Sequence, residues 1–160
     1  MKVVVNGAEC VVEAEPRTTL AELLREGLGL TGTKVACEQQ VCGACTVLLD
    51  GRAVSACATL AAEAAGGSVT TIEGVASRDG LHPVQSAFAE QGGFQCGYCT
   101  PGMILTVLAL LREEPDPTAE QVGEYLAGNL CRCTGYQSIV AAALDAAARC
   151  RAGRDLVRGL

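Results

Sequence analysis

The sequence predicts an α+β protein of two small domains, and three observations carry that prediction. Short β-branched runs flanking an Asn-Gly pair open the chain, whereas alanine- and leucine-rich runs at helical spacing fill its second half. Eight of the ten cysteines form two groups of four, one group in each half. At 160 residues neither half can bury enough apolar surface to be very stable alone, so covalent or metal staples are expected.

Taken in order, Val3 to Val5 and Cys10 to Val12 flank Asn6-Gly7, the pair a type I′ hairpin turn prefers because both central residues need positive φ. Residues 18–26 offer a threonine cap, a following glutamate and leucines at 20, 23 and 24 on one face, which predicts a helix covering the sheet. A cysteine loop follows Gly32, then a strand over 46–49, a turn at Asp50-Gly51 and a late strand near 69–72. Hairpin, crossing helix, loop, strand and late strand is a β-grasp order. Residues 74–80 are small and polar without periodicity and mark the boundary, giving domains of 1–75 and 76–160. Beyond it, helices are expected over 83–91, where Pro83 suits a first turn, over 101–114 and over 118–127 behind a threonine cap. A fourth, over 136–149, has apolar positions 139, 140, 143, 144 and 147 on one face. Together they make a four-helix second domain.

A net charge of -6 argues against nucleic-acid binding, which rests on lysine and arginine neutralising phosphates. The one basic cluster, Arg149, Arg151, Arg154 and Arg158, reads as a solvated tail or a partner contact. Aromatic residues make up 3% with no tryptophan, so a stacking platform for bases is not expected either. The longest apolar stretch, 103–111, falls well short of the roughly 20 residues that span a bilayer. The first residues lack a signal-peptide pattern, so a reducing cytoplasm is expected, where thiol groups read as metal or redox sites rather than disulfides.

Cys37-x4-Cys42-x2-Cys45 with a fourth cysteine at Cys57 is the spacing of plant-type [2Fe-2S] ferredoxins. Gly43 and Ala44 keep the loop small enough for backbone N–H groups to face bridging sulfides. A four-cysteine zinc site would place a close pair at each end, which Cys45 and Cys57 do not form. The second set, Cys96-x2-Cys99 with Cys131-x-Cys133, is open on spacing alone. A tetrahedral zinc ion fits it, and a redox dithiol at Cys96 and Cys99 is a third option, though the parallel βαβ context is missing. Its neighbours favour an iron–sulfur centre: Gly97 and Gly135 permit close backbone approach, and Pro101 starts a helix whose N-terminal dipole favours negative charge.

The three motifs CEQQVCGACTVLLDG (37–51), FQCGYCTPGMI (94–104) and NLCRCTGY (129–136), in that order, closely resemble the small iron–sulfur subunit of the molybdenum hydroxylases, the xanthine dehydrogenase family, over about residues 2–149. The resemblance implies a β-grasp ferredoxin-like domain with Cys37, Cys42, Cys45 and Cys57 on one [2Fe-2S] cluster. It implies a four-helix domain with Cys96, Cys99, Cys131 and Cys133 on the other. It implies electron transfer from the molybdopterin of a large partner subunit through both clusters to FAD in a medium subunit, within a dimer of heterotrimers. Gln95 matches the family glutamine that contacts the pterin, and Cys133 the cluster ligand nearest the pterin's amino group; no catalytic residue is implied. The chain departs from the pattern at Ala36 and Gln40, where glycine stands in many relatives, without losing a ligand.

Outside the two sets, His82 before Pro83 reads as a capping or surface residue, and Cys10 and Cys150 as core packing. Tyr98 and Tyr136, next to set cysteines, read as shields against solvent. The apolar run 103–111 reads either as bundle core or, in part, as a face for another subunit.

Overall fold

The computed structural model describes residues 1–77 and 80–153. Two tight hairpins build most of its sheet. Strands β1 (Lys2–Val5) and β2 (Ala8–Val11) pair antiparallel through Asn6-Gly7, whose φ angles of 51° and 79° are those a type I′ turn requires. Strands β3 (Thr46–Leu49) and β4 (Arg52–Ser55) repeat the device through Asp50-Gly51, at 50° and 79°. Strand β5 (Ser68–Thr70) runs between the hairpins, parallel to β1 and antiparallel to β3, giving the order β2-β1-β5-β3-β4.

Helix α1 (Leu20–Glu22) starts at a capping box in which Glu22 N–H donates to Thr19 Oγ1 and Thr19 N–H donates to Glu22 Oε2. It continues as a π-helical turn over Leu23–Gly27, closed by Leu28 N–H on the Leu23 carbonyl. Leu20, Leu23 and Leu24 are buried there with Val3, Val5, Val47 and Val69. The other face of the sheet meets the helical half. Because successive strand residues point to opposite faces, Val47 packs under α1 while Leu48 joins the core built around α3.

That half comprises α2 (Pro83–Glu90), α3 (Thr100–Glu113), α4 (Ala119–Tyr125) and α5 (Gln137–Ala152). Every residue of α3 from Gly102 to Leu111 is buried, as befits a helix covered by the sheet on one side and by helices on the other. The apolar run is therefore core rather than a face for another chain. Ala142, Ala143 and Ala146 of α5 let it pack closely on α2 and its Phe88. His82 caps α2 as expected, Nδ1 accepting from Val84 N–H at 3.2 Å, but it is buried rather than at the surface. Cys150 is buried in this core and Cys10 is half-buried against the other.

Two residues of the basic cluster are engaged within the chain. Arg149 pairs with Asp145 on its own helix and with Glu90 of α2, holding both carboxyls below their ordinary range, and Arg151 pairs with Asp116. Arg154 and Arg158 lie outside the described residues. Among the described residues no helix is long and apolar enough to cross a membrane.

Candidate metal centres

The first cysteine loop, between α1 and β3, winds through three left-handed residues, Glu38, Gln40 and Gly43, with φ of 55°, 58° and 65°. This winding turns amides inward. Cys37 Sγ accepts from Gln39 N–H at 3.5 Å and from Cys42 N–H at 3.4 Å, and Cys45 Sγ accepts from Cys57 N–H at 3.5 Å. Donation from Gln39, Val41 and Cys42 lowers the Cys37 pKa to about 6, so this thiol is readied to ligate as thiolate. Burial pushes Cys45 the other way, to about 11; its thiolate needs a cation beside it.

Gln40 accounts for one departure noted in the sequence. Its φ of 58° is a conformation in which glycine is unstrained and other residues lose about 1–2 kcal/mol, and its side chain is exposed. Gln40→Gly is therefore expected to stabilise the loaded protein by about 0.5–1 kcal/mol after glycine's larger chain entropy is subtracted. That corresponds to ~1–4 °C in the temperature at which the visible cluster absorbance is lost; no rise would mean that the loop holds Gln40 without strain.

The second set lies at helix ends. Cys99 is the N-cap of α3, and Cys131 and Cys133 precede α5, whose N-cap Tyr136 is itself left-handed at φ 69°. Cys96 and Cys133 are exposed with their sulfurs 3.6 Å apart, close to the ~3.8 Å separating two thiolates on one tetrahedral metal with ~2.3 Å bonds. Burial pushes Cys99 up to about 12, and the neighbouring Cys131 adds to the rise. Burial also opposes the Cys131 thiolate, but donation from Thr134 and Cys133 carries its pKa below the ordinary value. In the first set the Cys42 amide reaches Cys37 Sγ and the Cys57 amide reaches Cys45 Sγ.

One sulfur–sulfur approach, Cys96 to Cys133, is thus direct, while Cys37 and Cys45 each accept an amide from another cysteine of their set. A mononuclear zinc site needs four ligands around one point, whereas a two-iron centre takes two thiolates on each metal. Each set supplies the four thiols that a two-iron centre takes. The sulfur that Cys96 approaches is that of Cys133, across the two segments of the set.

Several contacts tie the two loops into one body, and these the sequence did not reveal. Leu130 N–H donates to the Cys42 carbonyl at 2.8 Å, and Tyr98 OH donates to the Val35 carbonyl at 2.6 Å. Gly102, at the start of α3, lies so close to Gly43 that a Cβ on it would stand 2.4 Å from the Gly43 oxygen. Asn129 bonds to Gly43 and Thr46 from the helical side. Tyr136 OH accepts from Cys131 N–H at 2.9 Å and donates to the Asn129 carbonyl at 3.0 Å. The two tyrosines thus act as hydrogen-bonding staples. Gln95 is exposed beside Cys96.

Known proteins of similar sequence and structure point the same way. Residues 3–71 match the family described as 2Fe-2S iron-sulfur cluster binding domain, and residues 71–144 the family described as [2Fe-2S] binding domain. The chain is 51% identical over 158 residues to a probable xanthine dehydrogenase component of Bacillus subtilis, covering 99% of this chain and 87% of that protein. It is 48% identical to the nicotinate dehydrogenase small FeS subunit of Eubacterium barkeri, covering 91% and 92%. Among solved structures, quinoline 2-oxidoreductase from Pseudomonas putida 86 superposes with a TM-score of 0.92 at 44% identity, covering 96% of each chain. The aldehyde oxidoreductase of Desulfovibrio gigas superposes at 0.91 and 43% identity, this chain covering 18% of that one.

Proposed function

The chain belongs to the small iron–sulfur subunits of the molybdenum hydroxylases, the xanthine dehydrogenase family, and on that premise we propose that its two cysteine sets hold one [2Fe-2S] cluster each. Cys37, Cys42, Cys45 and Cys57 ligate the first, Cys96, Cys99, Cys131 and Cys133 the second. When bound, each cluster supplies one-electron transfer. The chain is the electron-transfer subunit of a molybdenum-containing oxidoreductase, between the molybdopterin of a large subunit and FAD or another acceptor, and it does not itself turn over substrate.

The observation that carries the ligand assignment is the approach of Cys133 Sγ to within 3.6 Å of Cys96 Sγ, together with the amides that donate to Cys37 and Cys45 in the first loop. Within it the residues have separate tasks. The amides of Gln39 and Cys42 stabilise negative charge on Cys37, while Cys99 sits at the N-terminus of α3, whose dipole does the same for the second set. Residues 1–75 form a β-grasp ferredoxin-like domain and residues 76–160 a four-helix domain. Gln95 and Cys133, both exposed, face the pterin in the large subunit. A medium FAD subunit lies toward the first loop, and the complex is a dimer of heterotrimers. Cysteines given to clusters rather than to disulfides suit a reducing cytoplasm.

The test is the metal content of the complex purified gently through a tag on this chain. About four iron per chain, two for each cluster, with roughly one molybdenum and a red-brown colour that bleaches on reduction are expected. Zinc in place of iron, or a colourless protein, would overturn the assignment.

A further inference from the structure

Asn129 belongs to the helical half, yet its side chain serves the first cysteine loop. It is buried, 5% exposed, and its polar atoms are engaged on both sides of the amide. Nδ2 donates to the Gly43 carbonyl at 3.1 Å and to Thr46 Oγ1 at 3.3 Å. Oδ1 lies 3.1 Å from Thr106 Oγ1, which shares its one proton with the Gly102 carbonyl at 2.8 Å. The backbone N–H donates to Leu126, and the carbonyl accepts from Tyr136 OH. A buried amide so fully satisfied has one orientation.

That orientation fixes a peptide unit between two candidate ligands. The Gly43 oxygen is held on the Asn129 side by three further constraints: donation from Thr46 N–H at 3.1 Å, donation from Thr46 Oγ1 at 2.7 Å, and the close approach of Gly102. A peptide is planar with its C=O and N–H on opposite edges, so pinning the Gly43 oxygen toward Asn129 sends the Ala44 N–H the other way. Ala44 lies between Cys42 and Cys45, in the stretch whose inward amides set how well a cluster holds an added electron.

We infer that Asn129 is a positioning residue for the first cluster, reaching across from the helical half to orient the Gly43–Ala44 peptide and so tune that cluster's reduction potential. The inference rests on the proposal that Cys37, Cys42, Cys45 and Cys57 hold a [2Fe-2S] cluster. Losing an amide donor disfavours the more negative, reduced state, so the potential falls when Asn129 is replaced.

The test is a redox titration of the purified complex followed by low-temperature EPR, with iron counted in each sample. Asn129→Leu, of similar volume, removes both Nδ2 donors; Asn129→Ser removes their reach while leaving room for water. In both, about four iron per chain are retained. The first-cluster signal is about tenfold less reduced at a fixed ambient potential, equivalent to ~59 mV for one electron. The second-cluster signal stays in place. Loaded variants with an unmoved first-cluster potential would overturn the inference and leave Asn129 a packing residue. Loss of the first cluster from both variants would also overturn it, because holding the cluster is then the role. A wild-type complex without iron would instead remove the cluster assignment beneath it, whatever Asn129 does.

Discussion

Gly102→Ala is expected to pull the two cysteine loops apart. The added Cβ would stand 2.4 Å from the Gly43 oxygen and 3.3 Å from the Ala44 oxygen, both backbone atoms that no side-chain rotation can move. Relief needs a shift of about 1 Å, on the scale of an ordinary carbon–oxygen contact. Neither side can give it freely. Helix α3 is buried from Gly102 to Leu111, and the Gly43 oxygen is held by Thr46 and Asn129. Gly43 cannot retreat either, since its own Cα faces the Gly128 oxygen so closely that a Cβ there would stand 2.5 Å from it. The destabilisation should reach or exceed the upper end of the 1–3 kcal/mol usual for overpacking, at about 3 kcal/mol or more. The loop, being the smaller body, yields first, so the first cluster is lost before the second. Gly123→Ala is the matched control: it lies in α4 with open space where its Cβ would go, and should stabilise by about 1 kcal/mol through helix propensity. Iron content and the temperature of absorbance loss report both; a Gly102→Ala protein indistinguishable from wild type would mean that the loops are not interlocked.

The contrast between those glycines shows where sequence reasoning reached and where it stopped. Local chemistry was legible: Asn6-Gly7 and Asp50-Gly51 announce their turns, Thr19 and Thr118 cap their helices, and Pro83 opens α2. Strand β4 escaped because Arg-Ala-Val-Ser has no alternation strong enough to stand out, and its pairing is imposed by the Asp50-Gly51 turn. The π-helical turn after α1 was equally silent, since nothing in Leu-Leu-Arg-Glu-Gly distinguishes it from an ordinary helix end. Helix α3 was ambiguous because an all-round apolar helix reads the same under a sheet as against another subunit; only the tertiary fold shows Leu48 on its far side. Spacing pointed to a [2Fe-2S] loop for the first four cysteines and left the second four open; the approach of Cys96 to Cys133 was not legible, because it joins segments 37 residues apart. Asn129 and Gly102 were invisible for the same reason: each acts on Gly43, far away in the chain.

Replacing one ligand from each set should separate two roles that a cysteine can play here. Cys45 is 2% exposed, packs in the core beneath the sheet, and its Sγ accepts from Cys57 N–H. Serine at this position exchanges a soft thiolate for a hard hydroxyl, poorly matched to iron, and leaves that hydroxyl buried among apolar neighbours. Cys45→Ser is therefore expected to abolish the first cluster, halve the iron, and destabilise the chain by about 1–3 kcal/mol beyond the loss of the metal staple. Cys133 is exposed and pairs with Cys96 at the surface, so Cys133→Ser costs little in packing. Its effect should fall on the second cluster alone, changing or removing that EPR signal while the first cluster's remains and the fold persists. The interlocked loops make this a demanding test, because a purely structural perturbation near Cys133 would travel through Leu130 to Cys42 and disturb both signals. Loss of both in a folded Cys133→Ser protein would refute the division of the eight cysteines into two independent centres. Survival of both signals in Cys45→Ser would remove Cys45 from the ligand set.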